Sequence, residues 1–215
     1  MNSATQSPLV FVTGAAGGIG SVVLTSLNTA GLHVVGADRH DADLSRYEDI
    51  EKLVARTVEH GPLAWVVFAH GFIDSETDFV KEQPEDIAVT FAINTVAVVQ
   101  LTKLLLPHVQ KGFVFISSTA ALSPNGRYAA YSASKAAVNA FATALAKNDM
   151  SRTYITVCPG PTNTPMRQKI DANASSKQAP DIVADVITTI VTGTGAFKSG
   201  DIIIVRDGEV SKHKD

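Results

Sequence analysis

Short apolar runs alternate with helix-like segments along this chain, and this alternation limits its possible folds more than any other feature. The strand-like runs cover residues 8–13, 32–37, 64–69, 112–117, 154–158 and 202–205. Nearly every residue in them is apolar, which is typical of strands buried on both faces of a parallel sheet. The segments between the runs predict helices that cover the sheet. The sequence therefore predicts an α/β fold with a doubly wound parallel sheet and helices on both faces.

The stretch between the second predicted strand and the helix predicted after it is unusually short. A helical crossover between parallel strands needs about ten residues or more, and the stretch from Asp38 to Ser45 cannot hold one. We therefore predict a very short third strand. Ser45 and Glu48 have the spacing of a capping box, which predicts a helix from there to about Glu59. The other predicted helices cover residues 19–30, 84–106, 128–147 and 180–191.

Length and composition exclude several classes of protein. The 215 residues, 45% hydrophobic and 18% charged, predict one globular domain over residues 1–215. A net charge of -3 offers no basic field for nucleic acid. The single cysteine, Cys158, and a start without a signal-peptide pattern favour a cytoplasmic location. Polar residues interrupt the apolar stretch 87–106, so we expect a buried helix and no membrane contact. Neither the histidines nor the lone cysteine have metal-ligand spacing, so no metal is expected.

A glycine-rich turn joins the first strand to the first helix. It contains Gly14, Gly18, Ile19 and Gly20 in the spacing G-x-x-x-G-x-G. Glycines here let backbone N–H groups approach a pyrophosphate, whose charge the helix N-terminus favours. A tight turn without a ligand is the alternative. Its position directly after an apolar strand favours the phosphate-binding interpretation.

Acidic residues after the second strand indicate which dinucleotide is preferred. Asp38 ends that strand, where a carboxylate can accept a hydrogen bond from the ribose 2′-hydroxyl and repel a 2′-phosphate. This predicts NAD(H) as the preferred cofactor, although Arg39 beside it leaves NADP(H) possible. An ordinary turn acid is the alternative for Asp38. Asp43 either faces adenine or belongs to a polar turn, and the sequence does not decide between these two.

Tyr131 and Lys135 lie four residues apart, on one face of a predicted helix. A tyrosine and a lysine at this spacing occur easily by chance, so the interpretation depends on other residues predicted to lie near them. Ser118 follows a predicted strand at the edge where open α/β sheets place their sites, although Ser117 is an alternative. Asn94 lies upstream, inside a predicted helix, where it either holds a water or bonds to nearby backbone.

With these residues the chain resembles the short-chain dehydrogenase/reductase family. The matching motifs are Thr13-Gly14-x-x-x-Gly18-Ile19-Gly20, Asp38, Asn94, Ser118, Tyr131-x-x-x-Lys135 and Pro159-Gly160 followed by Thr164 and Met166. The resemblance implies a Rossmann-type sheet, a catalytic tetrad of Asn94, Ser118, Tyr131 and Lys135, and a homodimer or homotetramer. The cofactor-binding residues it implies, together with their neighbours in these turns, are Gly14, Gly18, Ile19, Gly20, Asp38, Arg39, Asp43, Leu44, Ala69, Gly71, Tyr131, Lys135, Pro159, Gly160, Thr162 and Thr164.

The chemistry of the pair agrees with those roles. A free tyrosine has a pKa near 10 and is a slow base at neutral pH. An ammonium roughly 5 Å away, at an effective dielectric constant near 20, lowers that pKa by about two units. We therefore expect Lys135 to activate Tyr131 only in a partly closed cleft. Ser118 would hold the substrate oxygen, and Asn94 would hold a water behind Lys135.

Two segments depart from the family pattern. Phe68-Ala69-His70-Gly71 stands where the family has Asn-Asn-Ala-Gly, so the usual hydrogen bonds beside the cofactor are in doubt. His70 either acts on substrate or is a structurally satisfied histidine. The substrate loop, about residues 166–180, is brief and lacks aromatic residues, which predicts a shallow or open pocket. Its polar part, residues 171–179, resembles a mobile loop.

The sequence thus predicts an NAD(H)-dependent oxidoreductase that interconverts an alcohol and a carbonyl on a small organic substrate. The alternative is an NAD(P)(H)-binding sensor or regulatory protein with little or no turnover, which the altered segment at His70 suggests. A nucleotide-sugar epimerase shares the tyrosine–lysine chemistry, but the few residues after Met166 leave little room for its substrate.

Overall fold

A seven-stranded sheet with the order β2-β1-β3-β4-β5-β6-β7 organises the protein. The structure, a computed structural model, describes residues 8–76, 78–124, 126–170 and 178–213. The strands are β1 (Leu9–Thr13), β2 (His33–Ala37), β3 (Leu63–Phe68), β4 (Val109–Ile116), β5 (Thr153–Pro159), β6 (Ile202–Arg206) and β7 (Glu209–Lys212). Every pairing is parallel except that of β6 with β7. The predicted doubly wound α/β fold is confirmed.

Helices cover both faces of this sheet. They are α1 (Gly20–Thr29), α2 (Tyr47–Val58), α3 (Pro84–Phe91), α4 (Ala97–Leu105), α5 (Ala129–Asn148), α6 (Pro165–Ile170) and α7 (Pro180–Thr192). A π-helical turn, Ala92–Val96, joins α3 to α4. Apolar residues of α2, α4 and α5 pack on one face, and those of α1 and α7 pack on the other. Burial on both sides explains the continuous apolar runs of the strands.

The very short third strand predicted between Asp38 and Ser45 is wrong. Residues 38–46 form turns, β2 is an edge strand, and the chain enters α2 directly before returning to β3 on the other side of β1. A hydrogen bond from the Asp38 backbone N–H to Asp41 Oδ2 (2.8 Å) closes the first of these turns. Once the turn has formed, too few residues remain to extend along β2.

Several boundaries also differ from expectation. The Ser45 capping box is wrong, because Ser45 Oγ donates to Asp43 Oδ1 (2.7 Å) and α2 begins two residues later. The strand predicted from residue 112 begins at Val109. An unpredicted β7 forms because Asp207 and Gly208 have φ values of 53° and 86°, which suit a two-residue hairpin turn.

The long helical segment Pro84–His108 has the length and mean hydropathy, 1.7, of a membrane span. Core helices of globular domains share these properties. Here Ala97, Leu101 and Leu105 of α4 are fully buried within the hydrophobic cluster on the sheet. The segment therefore forms part of the protein core.

Candidate active site

The sheet changes winding direction at β1, because β1 lies between β2 and β3 and their connections lead to opposite faces. Open α/β sheets bind ligands outside the carboxyl ends of strands at such a point. Thr13, Ala37 and Phe68 end the three strands there, and β4 and β5 end beside them. The predicted site residues follow these strand ends.

The glycine-rich turn is packed too tightly for side chains. Gly14 has φ of 67°, and a Cβ there would lie 2.6 Å from the His70 backbone nitrogen. A Cβ on Gly18 would lie 2.6 Å from Thr164 Cβ. No side chain caps the N-terminus of α1, so its first N–H groups are available to an anion. The turn therefore fits the pyrophosphate of a dinucleotide.

The predicted adenosine residues lie in the turns after β2. Asp38 is half-buried and its Oδ1 accepts from the His40 N–H (2.8 Å), which leaves Oδ2 able to accept a ribose hydroxyl. Arg39 is exposed and lines a cavity of about 200 Å³. Asp43 accepts from both Ser45 groups, and these bonds lower its pKa, which is the geometry of a polar turn. Leu44 packs against the core cluster.

Ser118 and Tyr131 meet at the carboxyl end of β4. The Ser118 side chain lies close enough to the Tyr131 phenol to lower its pKa, and Ser118 Oγ accepts from the Ala120 N–H (3.1 Å). Ser117 instead points into the protein, where it is 3% exposed and donates to the Lys135 carbonyl (3.0 Å). The geometry thus favours Ser118 over Ser117 as the serine that faces a substrate.

Burial decides the charge states of the tyrosine and lysine. It raises the pKa of Tyr131, while the Ser118 side chain lowers it to a smaller extent. Burial also lowers the pKa of Lys135 to about 8. The Lys135 ammonium donates to the Ile116 carbonyl (3.0 Å) and lies 6.0 Å from the centre of the Tyr131 ring. The expected lowering of the Tyr131 pKa by Lys135 is therefore not found in the protein alone, where desolvation is the largest cause and raises the pKa.

Asn94 lies in the π-helical turn and is fully buried. Its Oδ1 accepts from the Phe72 N–H (2.7 Å), and its Nδ2 donates to the Phe72 carbonyl (2.8 Å) and to Ser134 Oγ (3.0 Å). The side chain thus holds a distant loop, not the neighbouring backbone of its own helix. These bonds use both amide hydrogens, so the Asn94 amide could contact a water only as an acceptor through Oδ1.

The altered segment after β3 forms its own bonds to β1. His70 is 8% exposed, and its Nδ1 lies 2.6 Å from Thr13 Oγ1. The Ala69 N–H donates to the Thr13 carbonyl (3.1 Å). A Cβ on Gly71 would lie 3.4 Å from Lys135 Nζ, so this segment passes directly over the lysine. Sequence reasoning identified the departure here but not the Thr13 contact.

The region after β5 contains the residues expected to hold the nicotinamide. Thr162 donates to the Gly160 carbonyl (2.9 Å), and Thr164 Oγ1 accepts from the Arg167 N–H (3.3 Å). Gln178, 2% exposed, donates to Thr162 Oγ1 (2.9 Å). Sequence reasoning missed Gln178 because nothing in its local pattern indicates this contact. A Cβ on Gly160, after Pro159, would lie 3.1 Å from Arg206 Cγ.

The first part of the predicted substrate loop is helix α6. Its Lys169 ammonium lies 5.8 Å from the centre of the Phe72 ring, so α6 faces the loop that Asn94 holds. Residues 171–177, which make up most of the predicted mobile loop, lie outside the described residues. The shallow pocket therefore stays a prediction. A larger cavity of about 630 Å³, beside Pro62, Val109 and Arg152, lies at the amino ends of β3, β4 and β5, away from the carboxyl ends of the strands.

Within the described part of the chain, no group of three or more histidine, cysteine, aspartate or glutamate side chains is arranged to hold a metal ion. The arrangement at the strand ends instead provides a dinucleotide cradle, a partly buried hydroxyl pair and a nearby ammonium. A site of this kind defines a dinucleotide-binding oxidoreductase.

Comparison with known proteins identifies the family. The sequence model of the short chain dehydrogenase family matches residues 40–175, more than half of the chain. The chain belongs to this family. The matched range contains Asn94, Ser118, Tyr131, Lys135 and Thr164, whereas the glycine-rich turn lies before it.

Individual relatives agree with this membership. The human (Homo sapiens) 17-beta-hydroxysteroid dehydrogenase type 3 is 28% identical over 85% of this chain and 68% of its own length. The mouse (Mus musculus) L-fucose dehydrogenase is 26% identical over 89% of this chain and 76% of its own. The 3-ketoacyl-(acyl-carrier-protein) reductase from Brucella melitensis, solved with NADH, superimposes with a TM-score of 0.87. That structure is 20% identical and covers 94% of this chain and 98% of its own, so it supports the fold.

Proposed function

We propose that this protein is an NAD(H)-dependent oxidoreductase that interconverts an alcohol and a carbonyl on a small organic substrate, with Tyr131 as general acid and base. The observation that carries the proposal is the contact between Ser118 and the Tyr131 phenol at the carboxyl end of β4. Lys135 follows one helical turn later, with its ammonium 6.0 Å from the tyrosine ring. Family membership supports the general reaction class.

Each side chain has a defined task in this reaction. When bound, NADH supplies a hydride to the carbonyl carbon. Tyr131 donates its proton to the carbonyl oxygen, and a raised pKa keeps it protonated for this step at neutral pH. Ser118 donates a hydrogen bond to the same oxygen as its negative charge develops. In the reverse direction the ionised Tyr131 removes the proton of the alcohol.

Lys135 and Asn94 act behind the tyrosine. The ammonium of Lys135 lies below Gly71 and can hydrogen-bond a nicotinamide ribose that enters from the cleft. It also favours the ionised form of Tyr131 once the cleft excludes water. Asn94 fixes Phe72 and Ser134, and we propose that the π-helical turn around it holds the water that returns a proton to Lys135.

The residues of the cradle fit NAD(H) better than NADP(H). Asp38 keeps one carboxylate oxygen able to accept from a 2′-hydroxyl and would repel a 2′-phosphate. We expect Asp38→Ala to weaken NADH binding about tenfold and to reduce the difference in affinity between NADH and NADPH. Fluorescence titration with both nucleotides measures this change. Tighter NADPH binding by the unmutated protein would refute the assignment.

A substrate panel tests the activity. Purified protein is mixed with NADH or NADPH and with ketosteroids, sugars and small aldehydes and ketones, since the names of relatives include steroid and sugar dehydrogenases. We expect nucleotide oxidation with at least one carbonyl compound, and a loss of about a thousandfold in Tyr131→Phe with NADH binding kept. If NADH binds and no compound reacts, the sensor alternative replaces the enzyme.

We also propose a cytoplasmic location and a homodimer or homotetramer as the working form. The location rests on the lone buried Cys158, which has no second cysteine in the chain to pair with. Assembly rests on α5, which exposes the small residues Ala133, Ala140 and Ala144 along one side and lets another helix approach closely.

A further inference from the structure

His70 occupies the position where the family pattern predicts a small residue, and the proposed mechanism does not use it. The histidine follows β3 and is 8% exposed, between the glycine-rich turn and the residues around Lys135. Its ring meets the Phe68 ring edge-on at 6.0 Å. A polar ring buried at this point needs hydrogen-bond partners, because an unsatisfied polar group costs free energy.

The Thr13 hydroxyl provides the first partner. Thr13, 1% exposed, is the last residue of β1, and its Oγ1 lies 2.6 Å from His70 Nδ1. A Cβ on Gly14 would lie 2.7 Å from His70 Cα, so the histidine backbone sets the position of the first glycine of the turn. This bond therefore fixes the start of the cofactor cradle to the segment after β3.

The second ring nitrogen faces the π-helical turn. Nε2 is buried and has no hydrogen-bond partner among the described residues, while the nearby Ile93 backbone raises the pKa of the ring to a small extent. A carbonyl on this side favours a proton on Nε2, so Nδ1 accepts from the Thr13 hydroxyl. The imidazole thus lies between β1 and the turn that contains Asn94.

The charge of the ring follows from its surroundings. Burial and the positive charge of Lys135 lower the pKa of His70 to about 3, and the Ile93 backbone only partly opposes them. The ring is therefore neutral throughout the working pH range. It does not compete with Lys135 as a cation, and it is unsuited to donate or accept a proton in turnover.

We infer that His70 is a positioning residue whose imidazole, bonded to Thr13, fixes the cofactor cradle relative to the segment that passes over Lys135. The segment continues through Gly71, which passes over Lys135, to Phe72, which Asn94 holds at both backbone groups. A displacement of His70 is therefore expected to displace both Gly71, which lies over Lys135, and Phe72, which Asn94 holds. The inference rests on the proposed function only for its effect on turnover.

Two variants separate the ring nitrogens. In His70→Asn the amide group replaces Nδ1 and keeps a bond to Thr13, whereas in His70→Gln it extends toward the position of Nε2 and the Thr13 bond is lost. We expect His70→Gln and Thr13→Val each to weaken NADH binding about tenfold, with His70→Asn close to the unmutated protein. His60→Ala, an exposed histidine on a turn, is the matched control.

NADH affinity and the pH profile of turnover are the readouts. We expect the double variant Thr13→Val/His70→Gln to bind NADH no more weakly than either single variant, because each substitution removes the same bond between Thr13 and His70. In His70→Gln the apparent pKa of alcohol oxidation shifts as Lys135 moves, an effect that a general loss of stability would not produce. NMR of ¹⁵N-labelled protein is expected to show an Nε2-protonated ring that does not titrate between about pH 5 and 8.

The inference fails if His70→Gln binds NADH like the unmutated protein, if the two single effects add, or if the His70 ring titrates near neutral pH. These measurements need no turnover, so they separate this inference from the proposed activity. An absence of turnover with the expected NADH binding changes would refute the activity and keep the role of His70.

Discussion

At the scale of single residues, two adjacent serines differ in the direction of their hydroxyl groups and therefore in their contacts. Ser117 and Ser118 stand side by side at the end of β4, yet one donates to the Lys135 backbone and the other meets Tyr131. Successive side chains of an extended chain point to opposite sides, so only one of the two can face the cleft. The pair therefore offers a direct comparison between a structural role and the catalytic role that we propose for Ser118.

We expect Ser118→Ala to lower kcat/KM about a hundredfold, because a donor to the developing oxyanion is lost. Ser117→Ala is its control, with activity largely kept and stability lowered by about 1 kcal/mol through the lost bond to Lys135. Steady-state kinetics and thermal unfolding of both variants measure these effects. Equal activity losses in the two variants would contradict the assignment.

The raised pKa of Tyr131 predicts opposite pH dependences for the two reaction directions. Alcohol oxidation requires the phenolate, so its kcat/KM increases with pH through the range above neutral. Carbonyl reduction requires the protonated phenol, so its kcat/KM stays level through neutral pH and falls only at high pH. Initial rates in both directions over a pH series test this, and an oxidation rate that falls above neutral pH would exclude Tyr131 as the base.

At the scale of elements, Asp149 joins the end of α5 to the start of β5. Its carboxylate accepts from the Tyr154 hydroxyl (2.6 Å), the Arg152 guanidinium (2.9 Å) and the Ser151 N–H (2.8 Å). The Ser151 hydroxyl and Tyr154 are the strongest causes that hold the pKa of Asp149 well below its usual range. The connection positions β5, whose far end leads to Pro159 and the nicotinamide region.

We expect Asp149→Asn to destabilise the protein by about 1–3 kcal/mol at neutral pH. Since the folded-state pKa is depressed, the stabilisation is present above the unfolded value, near 4, and is lost as pH falls below it. The difference in unfolding free energy between the unmutated protein and Asp149→Asn is therefore expected to decrease below about pH 4. Denaturant unfolding across pH tests this, with the exposed Asp185→Asn as control. A difference that is constant with pH would contradict it.

At the scale of the whole molecule, no strand forms between β2 and α2. This leaves β2 as an edge strand of the sheet and shortens the connection from β2 to α2. The adenosine side of the site therefore consists of turns, with Asp38, Arg39 and Asp43 on consecutive loops. Helix α5, on one face of the sheet, instead presents the small residues Ala133, Ala140 and Ala144 outward. These two surfaces differ in what they can bind: a nucleotide on one, another helix on the other.

We expect light scattering to report a dimer or tetramer, and Ala140→Glu or Ala144→Glu on α5 to shift it to a smaller species with the fold kept. A charge there would be buried without a partner in a helix–helix interface. Asn28→Glu on α1, on the other face of the sheet, is the control. An unmutated protein that is monomeric at high concentration would contradict the proposed assembly.

The order of six strands and the placement of Tyr131 and Lys135 on one helix could be predicted from the sequence alone. Continuous apolar runs and glycine turns are local patterns, and they predicted six of the seven strands observed in the described residues, together with the site at their carboxyl ends. A hairpin as short as β6–β7 was missed because its exposed strand β7 has no apolar run.

Only the tertiary structure decided which side chains meet across the chain. The bonds of His70 to Thr13, of Asn94 to Phe72 and of Gln178 to Thr162 join residues far apart in sequence. Spacing along the chain carries no information about such contacts, because they depend on how strands and turns pack. The raised pKa of Tyr131 has the same origin, since burial is a property of the folded protein and not of the local sequence.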